Sequence, residues 1–208
     1  MYTLHYSPGS AAMLVHLVLL ETGAPHVLTR VDLEAGEQRS PAYLTLNPHG
    51  KVPTMIVDGA PYAEAAALAM LLAERHPEAQ LAPAAGEPAR AAYLQWMFHL
   101  ANALQPAFRL WFYPHDGGSD AAAVKDAARA RIEAEWTHLD AHLGRHGPHL
   151  LGAQPSVADF YATMLMRWSR NMPKPATAWP HLAALAARVK ARPAWKRLCE
   201  IEGLADWA

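Results

Sequence analysis

The chain has a single cysteine, Cys199, among 208 residues. That excludes an intrachain disulfide, a CxxC redox pair and a cysteine-rich zinc site. Neither sign of charge is in excess, since 18 Lys and Arg stand against 19 Asp and Glu, scattered along the chain, for a net charge of −1. Such a balance offers no basic face to a nucleic-acid backbone or an anionic membrane, so neither is expected as a partner. The longest apolar run near the start, residues 11–20, is too short to cross a bilayer, and no basic leader with a small-residue cleavage site accompanies it. A cytoplasmic location is expected. No glycine-rich phosphate loop and no Ser-His-Asp chain order stand out.

What the chain does have is a 52% hydrophobic content with only 18% charged residues, the composition of a compact and largely helical protein. YTLHY alternates and is rich in aromatic and branched residues, which predicts a strand, and SPGS supplies a turn. Ser10 is positioned to cap a helix over AAMLVHLVLLET, in which Leu14, Leu17, Val18 and Glu21 fall at helical spacing and Gly23 and Pro25 form the stop. HVLTRVDL predicts a second strand, parallel to the first through a right-handed crossover. After a polar segment, VPTMIVDGAPYAE predicts a hairpin turning at Asp58-Gly59, and EAAALAMLLAERH a helix. Residues 1–76 thus form a βαβ-ββα layer, α/β in class.

PEAQLAPAAGE, residues 77–87, lacks an apolar period and reads as a linker to an all-α half over residues 88–208. Pro106 should kink the first helix of that half, and Ser119 should cap a long one with Val124, Ala128, Ile132, Trp136, Leu139 and Leu143 as its buried stripe. In SVADF, Ser156 and Asp159 have the spacing of a capping box, a structural feature. His138, His142 and His146 recur every fourth residue; with no fixed third partner they read as a solvated face, and no metal is expected. Cys199 reads as a buried helical thiol.

Three segments fall at strand or helix ends on one expected edge of the sheet: SPGS, GKVP and the helix start at Glu64. The first and third offer helix N-termini, which favour anions such as carboxylates and thiolates. The middle one places Lys51 between Gly50 and a Val-Pro pair, where a strand edge beside an X-Pro bond can pair with an extended peptide. Lys51 is alternatively a solvated turn residue.

NPHGKVPTM followed by AEAAAL, with SVADF in the helical half, resembles the cytosolic glutathione transferase family over the whole chain, and YSPGSAAM resembles the first turn of its bacterial beta-type and delta-type members. The resemblance implies a thioredoxin-like domain binding glutathione as co-substrate, a helical domain with a hydrophobic co-substrate pocket, and a homodimer. On that basis Val52 would offer backbone groups to the cysteinyl part of glutathione, Pro53 would be the cis proline, Lys51 would reach the glycyl carboxylate, and Glu64 and Ala65 would meet the γ-glutamyl end. Ser10 falls where delta-type members carry the serine that stabilises the thiolate, with Tyr6 and Ser7 in reserve; a helix cap and a sulfur contact would compete for its oxygen. The beta-type cysteine would fall at Ala11, and the usual serine after the glutamate is Ala65 here. Phe108, Trp111, Tyr113, Tyr161, Met164 and Trp168 are candidates for the pocket, about half of them expected to be core instead. The implied reaction joins the glutathione thiolate to a small hydrophobic electrophile. The alternatives are a glutathione-dependent isomerase or dehalogenase, whose usual Ser-Cys element is missing, and a non-enzymatic scaffold.

Overall fold

The structure is a computed structural model that describes residues 1–207. It contains two compact units, one formed by Met1–Ala84 with the C-terminal segment from Lys190, the other by Ala85–Val189. The division after Ala84 falls within the stretch read as a linker.

In the first unit, strands β1 (Tyr2–Tyr6), β2 (His26–Arg30), β3 (Thr54–Val57) and β4 (Ala60–Ala63) form one mixed sheet in the order β2-β1-β3-β4. β1 runs parallel to β2 and antiparallel to β3, which pairs antiparallel with β4. The hairpin turns at Asp58 and Gly59 with φ of 52° and 84°, the two positive values that a tight two-residue connection requires. Helix α1 (Ala12–Thr22) makes the crossover between the parallel strands. Ala12 to Leu19 are buried without a break, because the sheet, α3 (Ala65–Arg75) and α9 (Pro193–Glu202) all pack on this helix. A helix covered on several sides carries an apolar run and little polar face.

Two features of this unit depart from the sequence reading. The polar segment contains a short helix, α2 (Pro41–Leu44), begun by Ser40, whose hydroxyl accepts the Tyr43 N–H, with Pro41 in the first helical position. The C-terminal segment also returns to the sheet unit, whereas the sequence placed it in the helical half. Trp195, Leu198 and Cys199 are buried on α9, and a bidentate pair from Arg192 to Glu21, at 2.5 and 2.6 Å, ties its start to the end of α1.

The second unit is helical. α4 (Arg90–His99) and α5 (Gln105–Phe112) are joined without a loop by a π-helical turn at Leu100–Leu104. Pro106 has no N–H for the regular ladder, so the backbone widens just before it. The long α6 (Ala121–His146) is capped by Asp120, whose carboxylate accepts the Ala123 N–H at 3.0 Å, and not by Ser119. Ala128, Ile132, Trp136, Leu139 and Leu143 form its buried stripe. α7 (Val157–Trp168) is buried along nearly its whole length and begins with the anticipated capping box, and α8 (Pro180–Lys190) precedes α9. Among the described residues no helix is long and apolar enough to cross a membrane.

Candidate functional site

Register brings the three candidate segments of the sheet unit together. His5 pairs with Thr54, and Thr54 pairs with Ala63, so the end of β1, the start of β3 and the end of β4 lie side by side. The SPGS turn, the GKVP segment and the start of α3 therefore leave the sheet at one end.

In the SPGS turn, Ser10 is half-buried, its N–H donates to the Ser7 carbonyl at 3.2 Å, and its Oγ accepts the Ala12 N–H at 3.2 Å. The N-cap of α1 is Ala11, with no side-chain cap, and not Ser10 as the sequence suggested; the Ser10 hydroxyl accepts one residue ahead of it and keeps its hydrogen to donate, so the expected competition between cap and sulfur contact does not arise. Tyr6 is buried, its ring tilted 5.9 Å from that of His16, and Ser7 is half-buried. The turn is anchored from far along the chain. Glu202 Oε2 accepts the Gly9 N–H at 2.9 Å and Glu202 Oε1 lies 2.8 Å from His16 Nδ1, with both side chains fully buried. Nothing local in the sequence marks Glu202 as part of this site, because its partners lie at the other end of the chain.

In the second segment Lys51 is exposed, Val52 is half-buried, Pro53 is buried, and the bond between Val52 and Pro53 is cis. Gly50 has φ 59°, and a Cβ there would come within 3.1 Å of the Gln38 carbonyl, so a side chain is disfavoured on two counts. Beneath the loop lie Tyr43, Asn47 and Thr54, all buried. The Lys51 carbonyl accepts from Tyr43 Oη at 2.8 Å and from Asn47 Nδ2 at 2.8 Å. Thr54 Oγ1 is 2.9 Å from Tyr43 Oη and 3.2 Å from Asn47 Nδ2. Burial pushes the Tyr43 phenol above its ordinary value, against the Thr54 hydrogen bond that favours the anion, so it remains a neutral donor. The His5 ring stands edge-on to Tyr43 at 6.0 Å, and burial holds its pKa below the ordinary histidine value despite the carboxylate of Glu37.

At the third segment Glu64 occupies the N-cap position of α3 with φ 70° and ψ 101°, a conformation that a non-glycine residue adopts at a cost of about 1–3 kcal/mol. Its side chain makes no cap hydrogen bond, so the first-turn N–H groups of α3 lack the usual local side-chain acceptor. Ala65 is buried, while Glu64 itself is exposed. This helix start has the electrostatics of a carboxylate site.

The six pocket candidates belong to the helical unit and divide into two groups. Phe108, Tyr161 and Met164 are at most 1% exposed and are core residues. Phe108 packs on Phe112, Trp136 and Trp168, and the Tyr161 hydroxyl donates to Gln105 Oε1. Trp111, Tyr113 and Trp168 keep accessible surface, with Lys125 over the Trp111 ring and Arg109 over that of Tyr113. Of the three regularly spaced histidines, His138 and His146 are exposed, as a solvated face requires, while His142 is half-buried. His142 packs 4.7 Å from Trp96 and donates to the Leu150 carbonyl at 2.9 Å, while His138 lies 5.9 Å from Trp96. Among the described residues no three His, Cys, Asp or Glu side chains are gathered to hold a metal ion.

Comparison with known proteins agrees with this architecture. The profile of the "Glutathione S-transferase, N-terminal domain" family matches residues 10–75, and that of the "Glutathione S-transferase, C-terminal domain" family matches residues 122–200. The chain is 32% identical over 177 residues to Glutathione S-transferase GST-4.5 of Xanthomonas campestris pv. campestris, covering 81% of this chain and 82% of that protein. It is 27% identical over 203 residues to Glutathione S-transferase GstA of Escherichia coli O157:H7, covering 97% and 98% of the two. Among solved structures, a sphingomonad glutathione S-transferase complexed with glutathione superposes with a TM-score of 0.87 at 33% identity, covering 98% of this chain and all of that one. With both family profiles matched in order on the sheet unit and the helical unit, the chain belongs to the glutathione S-transferase family.

Proposed function

We propose that the protein binds reduced glutathione at the sheet end formed by the SPGS turn, the GKVP segment and the start of α3, and joins its thiolate to a small hydrophobic electrophile. The observation that carries this reading is the register His5–Thr54–Ala63, from which the turn holding Ser10, the segment with the exposed Lys51 and the start of α3, which has no side-chain cap, all leave the sheet at one end. In this reading Val52 pairs through its backbone with the cysteinyl residue, beside Pro53. Lys51 meets the glycyl carboxylate, and the first-turn N–H groups at Ala65, below Glu64, meet the γ-glutamyl carboxylate. Ser10 donates its hydroxyl hydrogen to the sulfur, and the thiol proton passes to solvent. Donation to the charged form lowers the thiol pKa. A sulfur lone pair then forms the bond to the electrophilic carbon, and the leaving group departs with its bonding pair. The same reading carries a homodimer as the assembly.

Calorimetric titration with reduced glutathione, run in parallel on the wild type and on Ala65→Ser, tests the proposal. The added hydroxyl supplies one hydrogen bond to a charged group, about 1.5–3 kcal/mol, so Ala65→Ser should bind about ten- to a hundredfold more tightly. Heat in the wild type that grows in affinity with the serine supports the transferase. Absence of heat in both proteins overturns it in favour of a binding scaffold. Product analysis with an electrophile separates transfer, which consumes glutathione, from isomerisation, which returns it.

A further inference from the structure

The buried cluster beneath the GKVP loop has a closed hydrogen-bond pattern. The Lys51 carbonyl accepts twice, from Tyr43 and from Asn47. Because the Tyr43 hydrogen is committed to that carbonyl, the Thr54 hydroxyl must be the donor to Tyr43, and Thr54 in turn accepts from the second hydrogen of Asn47 Nδ2. The remaining Asn47 atom, Oδ1, accepts the His49 N–H at 3.1 Å, which fixes the amide orientation. Every donor of the three side chains is thus assigned: two hydrogens go to the Lys51 carbonyl, and the other two tie Asn47 to Thr54 and Thr54 to Tyr43. The polar atoms sit under a loop whose outer face, at Lys51 and Val52, is accessible.

We propose that Tyr43, Asn47 and Thr54 are positioning residues that hold the peptide unit between Lys51 and Val52 in the orientation that a bound glutathione backbone requires, and so set affinity for glutathione without taking part in the sulfur chemistry. The inference rests on the glutathione reading above. The physical argument is preorganisation: two hydrogen bonds fix the carbonyl of this peptide unit, and with it the facing of the Val52 N–H, before a ligand arrives. Loosening the clamp makes the ligand order the loop itself, which weakens binding in proportion to the fraction of time the loop is correctly placed.

The test uses the full-length protein and four variants: Tyr43→Phe, Thr54→Val, the conservative Thr54→Ser, and Tyr62→Phe on the exposed face of β4 as a control. Glutathione affinity is measured by calorimetry, and KM for glutathione and kcat are measured with an activated aryl chloride. Amide hydrogen exchange at Lys51, Val52 and Thr54 and the thermal midpoint report on the loop and the fold. Tyr43→Phe and Thr54→Val are each expected to weaken glutathione binding about five- to tenfold. KM should rise by the same factor, kcat at saturating glutathione should stay within about twofold, and exchange should quicken at those three amides. Thr54→Ser, which keeps the hydroxyl, should restore affinity, and Tyr62→Phe should behave as the wild type. Unchanged glutathione affinity in folded Tyr43→Phe and Thr54→Val overturns the proposal while leaving the glutathione reading intact. So does a fall in kcat with KM unmoved. A wild type that takes up no glutathione is a different failure: it removes the glutathione reading, and the proposal with it.

Discussion

The Ser10 oxygen accepts the Ala12 N–H, so a thiolate placed beside it would take the hydroxyl hydrogen and not a lone pair. The residue can therefore serve the helix start and the sulfur together, and the consequences of removing it can be separated. In Ser10→Ala the sulfur loses one hydrogen bond to its charged form, about 1.5–3 kcal/mol, or roughly one to two pH units. Ultraviolet absorbance of the bound thiolate should show its titration displaced upward by that amount, and turnover near neutral pH should fall about tenfold or more. Stability should drop only slightly, since the lost hydrogen bond from the Ala12 N–H is worth about 1 kcal/mol. If the thiol titration and turnover of Ser10→Ala match those of the wild type, the activating group is another one, with Tyr6 and Ser7 next to be examined. Position 65 belongs to the same scale. In the proposed site, an alanine methyl in place of a hydroxyl would leave the backbone N–H groups of α3 to hold a carboxylate by themselves, which is why the serine substitution is expected to strengthen binding and not to create it.

At the scale of elements, the SVADF start of α7 shows how a local pattern can report its own structure. Asp159 is fully buried and accepts from the Leu150 N–H at 2.8 Å, the Ser156 N–H at 2.7 Å and the Ser156 hydroxyl at 3.0 Å. Burial pushes its carboxyl pKa up, and those same hydrogen bonds oppose the shift. Asp159→Ala would leave two buried N–H groups unpaired, at about 1–3 kcal/mol each. The thermal midpoint should therefore fall by several degrees, while glutathione affinity measured below the transition should stay that of the wild type. A variant of normal stability that lost activity would make Asp159 functional and this account wrong. The capping box was legible because both partners lie within four residues, and so was the hairpin, where Asp58-Gly59 encodes its own backbone angles. Signals that depend on one-residue precision were less so: Ser119 and Asp120 are both good caps, and only the backbone path shows that Asp120 reaches the Ala123 N–H. Helix α2 was missed because four residues cannot display an apolar period, although Ser40-Pro41 carried the start signal. The clamp of Tyr43, Asn47 and Thr54 and the anchor from Glu202 to Gly9 and His16 were not legible at all. Their partners meet only after the sheet is paired or after the chain has returned from its far end.

Over the whole molecule, the 12 histidines outnumber any other group able to titrate near neutral pH, and the fold treats them unequally. One histidine in each compact unit is held below its ordinary value of 6.5. For His5 the cause is burial, opposed by Glu37. For His142 it is burial first, with the Leu150 carbonyl opposing and His146, Arg145 and His138 adding positive charge nearby. The sign follows from linkage. Below 6.5 the unfolded chain protonates these imidazoles while the folded protein keeps them neutral, so the unfolded state binds more protons and acid favours it. Stability contributed by the neutral folded forms is complete above pH 6.5 and is lost as pH falls through that value toward the lower folded pKa. Thermal midpoints followed from about pH 8 to about pH 5 should therefore be level on the alkaline side and decline below about 6.5. Because the two groups sit in different units, His5→Gln and His142→Gln should each remove part of the slope, and the double variant should remove more than either alone. A midpoint that holds or rises through the acid limb, or a slope that both single variants leave untouched, would mean that other groups govern the response of this protein to acid.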